Sequence, residues 1–247
     1  MKAAPEHQRR LLDLQAVDTA LAQLEHRRRT LPETAEATRL QAVRGRAAEE
    51  VVRAGTQVSD LEADQAKAEA DLVPVRERLA RNRQRTESGA VSDPKSLQAL
   101  LEEIDHLVHR IDNLEDLQLD VMERLEAAQG MLAEATASKT AVEDQLRVVL
   151  RAREGKLGVL GAERDQLAAE REALVVTLPA DLLALYGKVA EKSGGQGAAL
   201  LRQGRCGGCQ LEATSSDLAR YRSASADEVL RCEECNRILV RTSESGL

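Results

Sequence analysis

The chain has no phenylalanine, no tryptophan and only two tyrosines, Tyr186 and Tyr221, in 247 residues. Aromatic rings supply the largest single burials in a globular interior. Their scarcity excludes a conventional large core, and with it a barrel, a sandwich or a Rossmann domain. No apolar run approaches the length that spans a bilayer, and the first ten residues carry no apolar stretch of the kind that directs secretion. The expectation is therefore a cytoplasmic protein with no membrane segment. A net charge of −7 argues against a generally basic nucleic-acid binder. No phosphate-binding glycine loop, dinucleotide fingerprint or nucleophile elbow is present, so neither a small-molecule substrate nor catalysis is expected.

What remains is rich in Ala, Leu, Val, Glu and Arg, with 31% charged residues, the composition of long helices packed through narrow seams. From Val51 an apolar stripe runs through Ala54, Val58, Leu61, Gln65, Ala68, Leu72, Val75 and Leu79. A second begins at Leu97 and passes through Leu100, Ile104, Leu107, Ile111, Leu114, Gln118, Val121, Leu125, Ala128 and Leu132 to Leu178. Its later half is interrupted by Lys139, Arg153, Lys156, Arg164 and Arg171. Alternating steps of three and four average 3.5 residues, the period that holds one stripe against a partner helix.

Between the stripes lies Thr86-Glu87-Ser88-Gly89-Ala90-Val91-Ser92-Asp93-Pro94. Gly89 permits a chain reversal, and Asp93 before Pro94 fits a helix cap followed by a first-turn proline. So short a connection places the flanking helices antiparallel, and the arms, 5–88 and 94–178, match in length. An unbroken second arm would reach roughly 125 Å at ~1.5 Å per residue. Pro32 marks a joint between helices in the first arm, and Pro74, through which the heptad phase passes unchanged, predicts a kink rather than a break. The fold expected is mainly α: a long antiparallel coiled-coil hairpin over 1–178 with its turn at about 86–93. A short helix and linker would follow over 179–197, then a small β-rich module over 198–247. Strands are expected over 198–203, 210–213, 229–231 and 237–241, with a brief helix over 216–221.

All four cysteines lie in that last segment, as Cys206-Gly207-Gly208-Cys209 and Cys232-Glu233-Glu234-Cys235. Two residues between cysteines let one tight turn aim both sulfurs at a common centre, and two such turns complete a tetrahedral thiolate shell. One structural Zn²⁺ held by Cys206, Cys209, Cys232 and Cys235 would replace the core that so small a module lacks. Disulfides suit a cytoplasmic chain poorly, and four thiolates leave no open position for catalysis.

Two basic features are candidates for contact with a partner. Arg76, Arg78, Arg81, Arg83 and Arg85 approach the hairpin turn with only Glu77 opposing them, a surface for an acidic protein or an RNA backbone unless it is simply a solvated coil. In the ribbon, Arg220, Arg222 and Arg237 could meet nucleic acid, with Tyr221 either a stacking platform or, by the preferred reading, the module's core. Seven arginines there are balanced by seven acidic residues, an unfavourable charge balance for phosphate binding. His106 and His109 beside Asp105 and Asp112 are read as solvated surface.

Ser92-Asp93-Pro94-Lys95-Ser96-Leu97-Gln98-Ala99-Leu100, Glu102-Glu103-Ile104, Arg110-Ile111, Leu114-Glu115-Asp116 and Met122-Glu123, together with both cysteine motifs and Asn236-Arg237-Ile238-Leu239, resemble the bacterial C4-type zinc-ribbon proteins with an N-terminal coiled-coil hairpin. The resemblance implies a zinc-binding hairpin protein without catalytic activity. It further implies nucleic-acid binding for some relatives and, for others, a regulatory or adaptor role in flagellar or type III secretion systems. The function expected is a non-enzymatic zinc-binding adaptor that engages macromolecules, a protein partner foremost, through hairpin tip and ribbon; the alternative is a nucleic-acid-binding regulator acting through the ribbon.

Overall fold

The computed structural model describes residues 1–247. Helix α1 (Pro5–Arg29) opens on a first-turn proline and closes on Arg27, Arg28 and Arg29, cations that face the negative end of the helix dipole. After a one-turn joint, α2 (Pro32–Glu87) runs through Pro74 without interruption. Gly89, at φ 66°, reverses the chain. Asp93 then caps α3 (Pro94–Val176), its Oδ2 accepting from the Ser96 backbone N–H at 2.9 Å and from Ser96 Oγ at 2.6 Å. Helix α4 (Ala180–Lys192), strands β1 (Ala198–Arg202) and β2 (Arg205–Cys206), helix α5 (Ser215–Ser223), and strands β3 (Leu230–Arg231) and β4 (Ile238–Val240) complete the chain. No helix is long and apolar enough to cross a membrane.

The chain divides into two compact units, Ala35–Leu150 and Met1–Thr34 with Arg151–Leu247. In the first, Ala37 and Leu40 pack against Leu146. Val58 and Leu61 pack against Leu125 and Ala128, and Leu72 and Leu79 against Leu107 and Ile111. Moving forward along α2 is moving backward along α3, so the helices are antiparallel. Every expected seam position from Val51 to Leu79 is buried or half-buried, as is every one from Leu97 to Val149. The seam also extends to Asn82, a buried polar residue in the last turns of α2 that the apolar periodicity did not include.

In the second unit a four-stranded sheet of order β2-β1-β4-β3 lies between two apolar layers. β1 and β4 are parallel, with Ala198, Ala199 and Leu200 opposite Ile238, Leu239 and Val240. Side chains alternate across a strand, and here the alternation serves both layers. Ala198, Ile238 and Val240 pack with Leu11, Leu14, Leu182 and Tyr186 of the helices, while Ala199 and Leu239 pack with Tyr221 and the cysteines. The first three residues add to this sheet. Ala3 N–H donates to Asp227 O at 2.7 Å, and Val229 N–H donates to Met1 O at 3.1 Å.

Two polar seam positions are resolved by carboxylates from the first arm. Arg171 Nε donates to Asp18 Oδ1 at 2.6 Å, and Lys156 pairs with Glu33. The Lys156 ammonium, by its hydrogen bond and its charge, holds the Glu33 carboxyl below the usual carboxylate range.

Candidate metal centre

Each cysteine pair sits in a knuckle built by the same backbone bonds. Cys206 N–H donates to Leu211 O at 3.0 Å while Gln210 N–H returns to Cys206 O at 2.8 Å. Cys232 N–H donates to Arg237 O at 2.9 Å while Asn236 N–H returns to Cys232 O at 2.8 Å. Both knuckles turn on a residue with left-handed backbone, Gln210 at φ 65° and Asn236 at φ 61°, directly after the second cysteine. Asn tolerates that region better than most residues, Gln less so. The left-handed Gln210 explains why the strand expected over 210–213 is absent. Pairing falls instead to Arg205–Cys206, with only an isolated bridge between Arg205 and Glu212. The first knuckle requires its glycines. A Cβ on Gly208 would stand 2.4 Å from Arg237 Cδ, and one on Gly207 3.0 Å from Leu200 O.

The four sulfurs all lie within 4.8 Å of one another. Cys206 and Cys235 sulfurs are 3.8 Å apart, as are those of Cys209 and Cys232. A tetrahedral shell of ~2.3 Å Zn–S bonds has edges of about 3.8 Å, whereas a disulfide closes to about 2.05 Å, and all four cysteines are free. Spacing and donor set fit one structural zinc ion. Gly208 N–H approaches Cys206 Sγ at 3.4 Å, a donor that offsets the excess negative charge of four thiolates around a dication.

The thiols are unequal before a metal binds. Burial pushes the Cys232 thiol up to about 12 against the hydrogen bonds it accepts, and burial likewise raises Cys206. For Cys235 burial also acts upward, but hydrogen bonds from the Arg237 backbone and side chain, with those of neighbouring thiols, outweigh it and bring the group to about 7. Arg237 is held in place by Ser193 O at 3.1 Å.

The ribbon's arginines are occupied within the protein, with one exception. Arg202 pairs with Glu244, Arg205 with Glu212, and Arg220 with Glu233. Arg231 donates to Asn236 O. Arg241 donates to the carbonyls of Tyr221, Ala224, Ser225, Ala226 and Glu228, capping α5 and the loop beyond it. Arg222 alone is exposed without a bonded partner. Tyr221 is 2% exposed and donates to Arg231 O at 3.1 Å, with Arg220 over its ring; it is core, not an open stacking surface. Near the hairpin turn, Arg76 pairs with Glu115 at 2.6 Å, Arg78 with Glu103, and Arg81 with Glu77 at 3.5 Å. Arg83 and Arg85 are exposed with no ion pair. His109 reaches Asp105 at 3.8 Å on an exposed face, and these groups gather no metal-binding cluster.

Two glutamines absent from the expected site tie the ribbon to α1. Gln15 Oε1 accepts from Gly197 N–H at 2.7 Å and Ala198 N–H at 3.3 Å, while its Nε2 donates to Gly195 O at 3.1 Å. Gln8 Nε2 donates to Ala3 O at 2.8 Å and Ala226 O at 3.3 Å. Their signal in sequence was only a polar residue bordering the Leu11, Leu14, Val17 stripe.

Residues 14–194 match the model of the CT398-like coiled coil hairpin domain, and residues 205–239 match that of the C4-type zinc ribbon domain. An uncharacterised protein of Mycobacterium tuberculosis is 34% identical over 241 residues, covering 98% of each chain. A solved structure from Mycobacterium smegmatis is 35% identical, with a TM-score of 0.85 over 98% of this chain and 100% of that one. The structure of CT398 from Chlamydia trachomatis shares the fold at 18% identity, with a TM-score of 0.67 over 95% and 97%.

Proposed function

This chain belongs to the family of CT398-like coiled-coil hairpin proteins that carry a C4-type zinc ribbon, and from that premise we propose that it is a non-enzymatic, cytoplasmic adaptor whose hairpin tip engages an acidic protein surface. When bound, zinc supplies the folding energy of the ribbon. The ribbon in turn fastens α1 through Gln8 and Gln15.

The observation that carries the reading is a pair of unpaired cations close to the hairpin turn. Arg83 and Arg85 stand without carboxylate partners at the end of α2, and the buried Asn82 beside them leaves Nδ2 without a hydrogen bond. Exposed guanidinium groups not already neutralised steer acidic partners and make new charge-assisted bonds. In the ribbon, by contrast, every arginine but Arg222 is bonded to carbonyls or carboxylates of the protein itself. That disfavours the reading of a nucleic-acid regulator, whose affinity would rest on phosphate neutralisation.

The test is a triple variant, Arg81→Glu with Arg83→Glu and Arg85→Glu, compared with wild type in affinity capture from the native host. Loss of one specific protein with zinc content unchanged supports the adaptor. Retained capture overturns the tip assignment. Nucleic acid that co-purifies, dissociates steeply with salt and is lost on Arg222→Glu would instead establish the regulator.

A further inference from the structure

A groove of about 640 Å³ lies where the end of α1 and the joint at Leu31 face α3, floored by Leu31, Ala152, Gly155, Val159 and Leu160. Only Leu160 is buried; Val159 is 61% exposed. Ala152, Gly155, Val159 and Ala162 are all exposed and step by three, four and three. They repeat the rhythm of the Arg153, Lys156, Leu160 seam one position earlier. A helix thus presents two adjacent heptad stripes here, one used against the first arm and one facing outward. Two adjacent stripes are what a helix carries when it packs against two others.

The rim is positive. Arg27, Arg151 and Lys156 line the groove. Lys156 is matched by Glu33, and Arg27 reaches Glu163 only at 3.7 Å. Arg151 is exposed with no ion pair. Two further buried nitrogens in this region, Nε of Arg28 and Nε of Arg153, have no hydrogen-bond partner. The floor is made of small residues, and a Cβ placed on Gly155 would meet nothing within 4 Å, so a visiting backbone can come close. Volume, heptad spacing and rim charge together specify the occupant.

We propose that this groove receives an amphipathic helix of a partner protein, laid along α3 as a third strand, with apolar residues on Ala152, Gly155 and Val159 and carboxylates toward Arg151 and Arg27. The site is separate from the tip, and the inference does not depend on the tip reading. Helix-in-groove recognition is a standard use of such a stripe, and the flanking charges select the sign of the partner.

The test uses the full-length zinc-loaded protein and two fluorescent synthetic helical peptides with the same leucine heptads. One carries glutamates on its flanks and the other lysines. The acidic peptide is expected to bind at least tenfold more tightly than the basic one by anisotropy. Gly155→Trp, whose Cβ would meet nothing within 4 Å and whose ring would fill the open groove, is expected to weaken it at least tenfold while leaving the melting temperature no lower. Arg151→Glu should erase the preference for acidic flanks and leave the melting temperature unchanged. Equal binding of both peptides, or acidic-peptide binding unaffected by Gly155→Trp, overturns the proposal. Sedimentation that shows a wild-type dimer broken by Gly155→Trp also overturns it, because the occupant would then be a second copy of this chain.

Discussion

Tyr186 and Asp18 are joined across 168 positions of sequence: the phenolic hydroxyl donates to Asp18 Oδ2 at 2.7 Å. Arg171 Nε holds the other oxygen of the same carboxylate at 2.6 Å. Burial, with the neighbouring carboxylate, raises the Tyr186 hydroxyl well above its ordinary range, so it stays a donor at all physiological pH. Tyr186→Phe removes one donor from a carboxylate that is largely screened from water, and hydrogen bonds to charged groups are worth about 1.5–3 kcal/mol. Thermal unfolding should show a destabilisation of that order. No change would mean that Arg171 alone satisfies Asp18.

Gln15 is the single side chain on which the linker before β1 converges. Gln15→Leu keeps the volume and leaves the buried Gly197 N–H without that partner. The expected cost is about 1–3 kcal/mol per orphaned group. Hydrogen exchange at Gly197 and Ala198 should rise even where zinc content is unchanged.

Two glycines should respond in opposite directions. A Cβ on Gly197 would lie 2.6 Å from the Tyr186 ring, and Gly197→Ala should cost about 1–3 kcal/mol through forced displacement. Gly155→Ala sits in open helix and should gain up to about 1 kcal/mol. Paired denaturation curves decide both.

Chelation of the metal should unfold the ribbon and spare the coiled coil. Far-ultraviolet helicity would persist, the four thiols would become alkylatable, and amide protection at Ala3 and Val229 would vanish together because those residues share the ribbon's sheet. Collapse of all helicity on chelation would show that the units do not fold separately.

Asp227 provides a pH signature. Ser225 and Lys2 hydrogen-bond its carboxyl and lower its pKa. A carboxylate with a depressed folded pKa contributes stability that is complete above its unfolded value, about 3.9. That contribution is lost as pH falls through the lower folded value. Wild type should therefore exceed Asp227→Asn in melting temperature at neutral pH, with the gap closing below pH ~4. A gap that persists at acid pH would assign the difference to something other than charge.

The helices were legible because their determinants are local and periodic. The stripe from Val51 to Leu79, the proline at 32 and the Asp93 cap each specify structure within a few residues. The metal centre was legible for the same reason, since Cys-x-x-Cys fixes a knuckle by itself. What escaped depends on distant partners. Gln15 reads as an ordinary helix-surface residue until Gly197 is folded against it, and Arg241 reads as a free cation until five carbonyls surround it. Asn82 escaped because a search for apolar residues steps over it. Gln210 escaped because its left-handed backbone follows from the sulfur geometry and not from any preference of glutamine.

The sheet pairing of Met1 and Ala3 with Val229 and Asp227 has a consequence for biosynthesis. The opening residues of the polypeptide leave the ribosome more than two hundred residues ahead of the strand that receives them. Leu11 and Leu14, each fully enclosed in the folded protein, must wait through more than two hundred residues of synthesis for Val229, Ile238 and Val240. Long-range closure of this kind is slow, so the nascent chain carries an unsheltered apolar face on α1 until the ribbon emerges and captures metal.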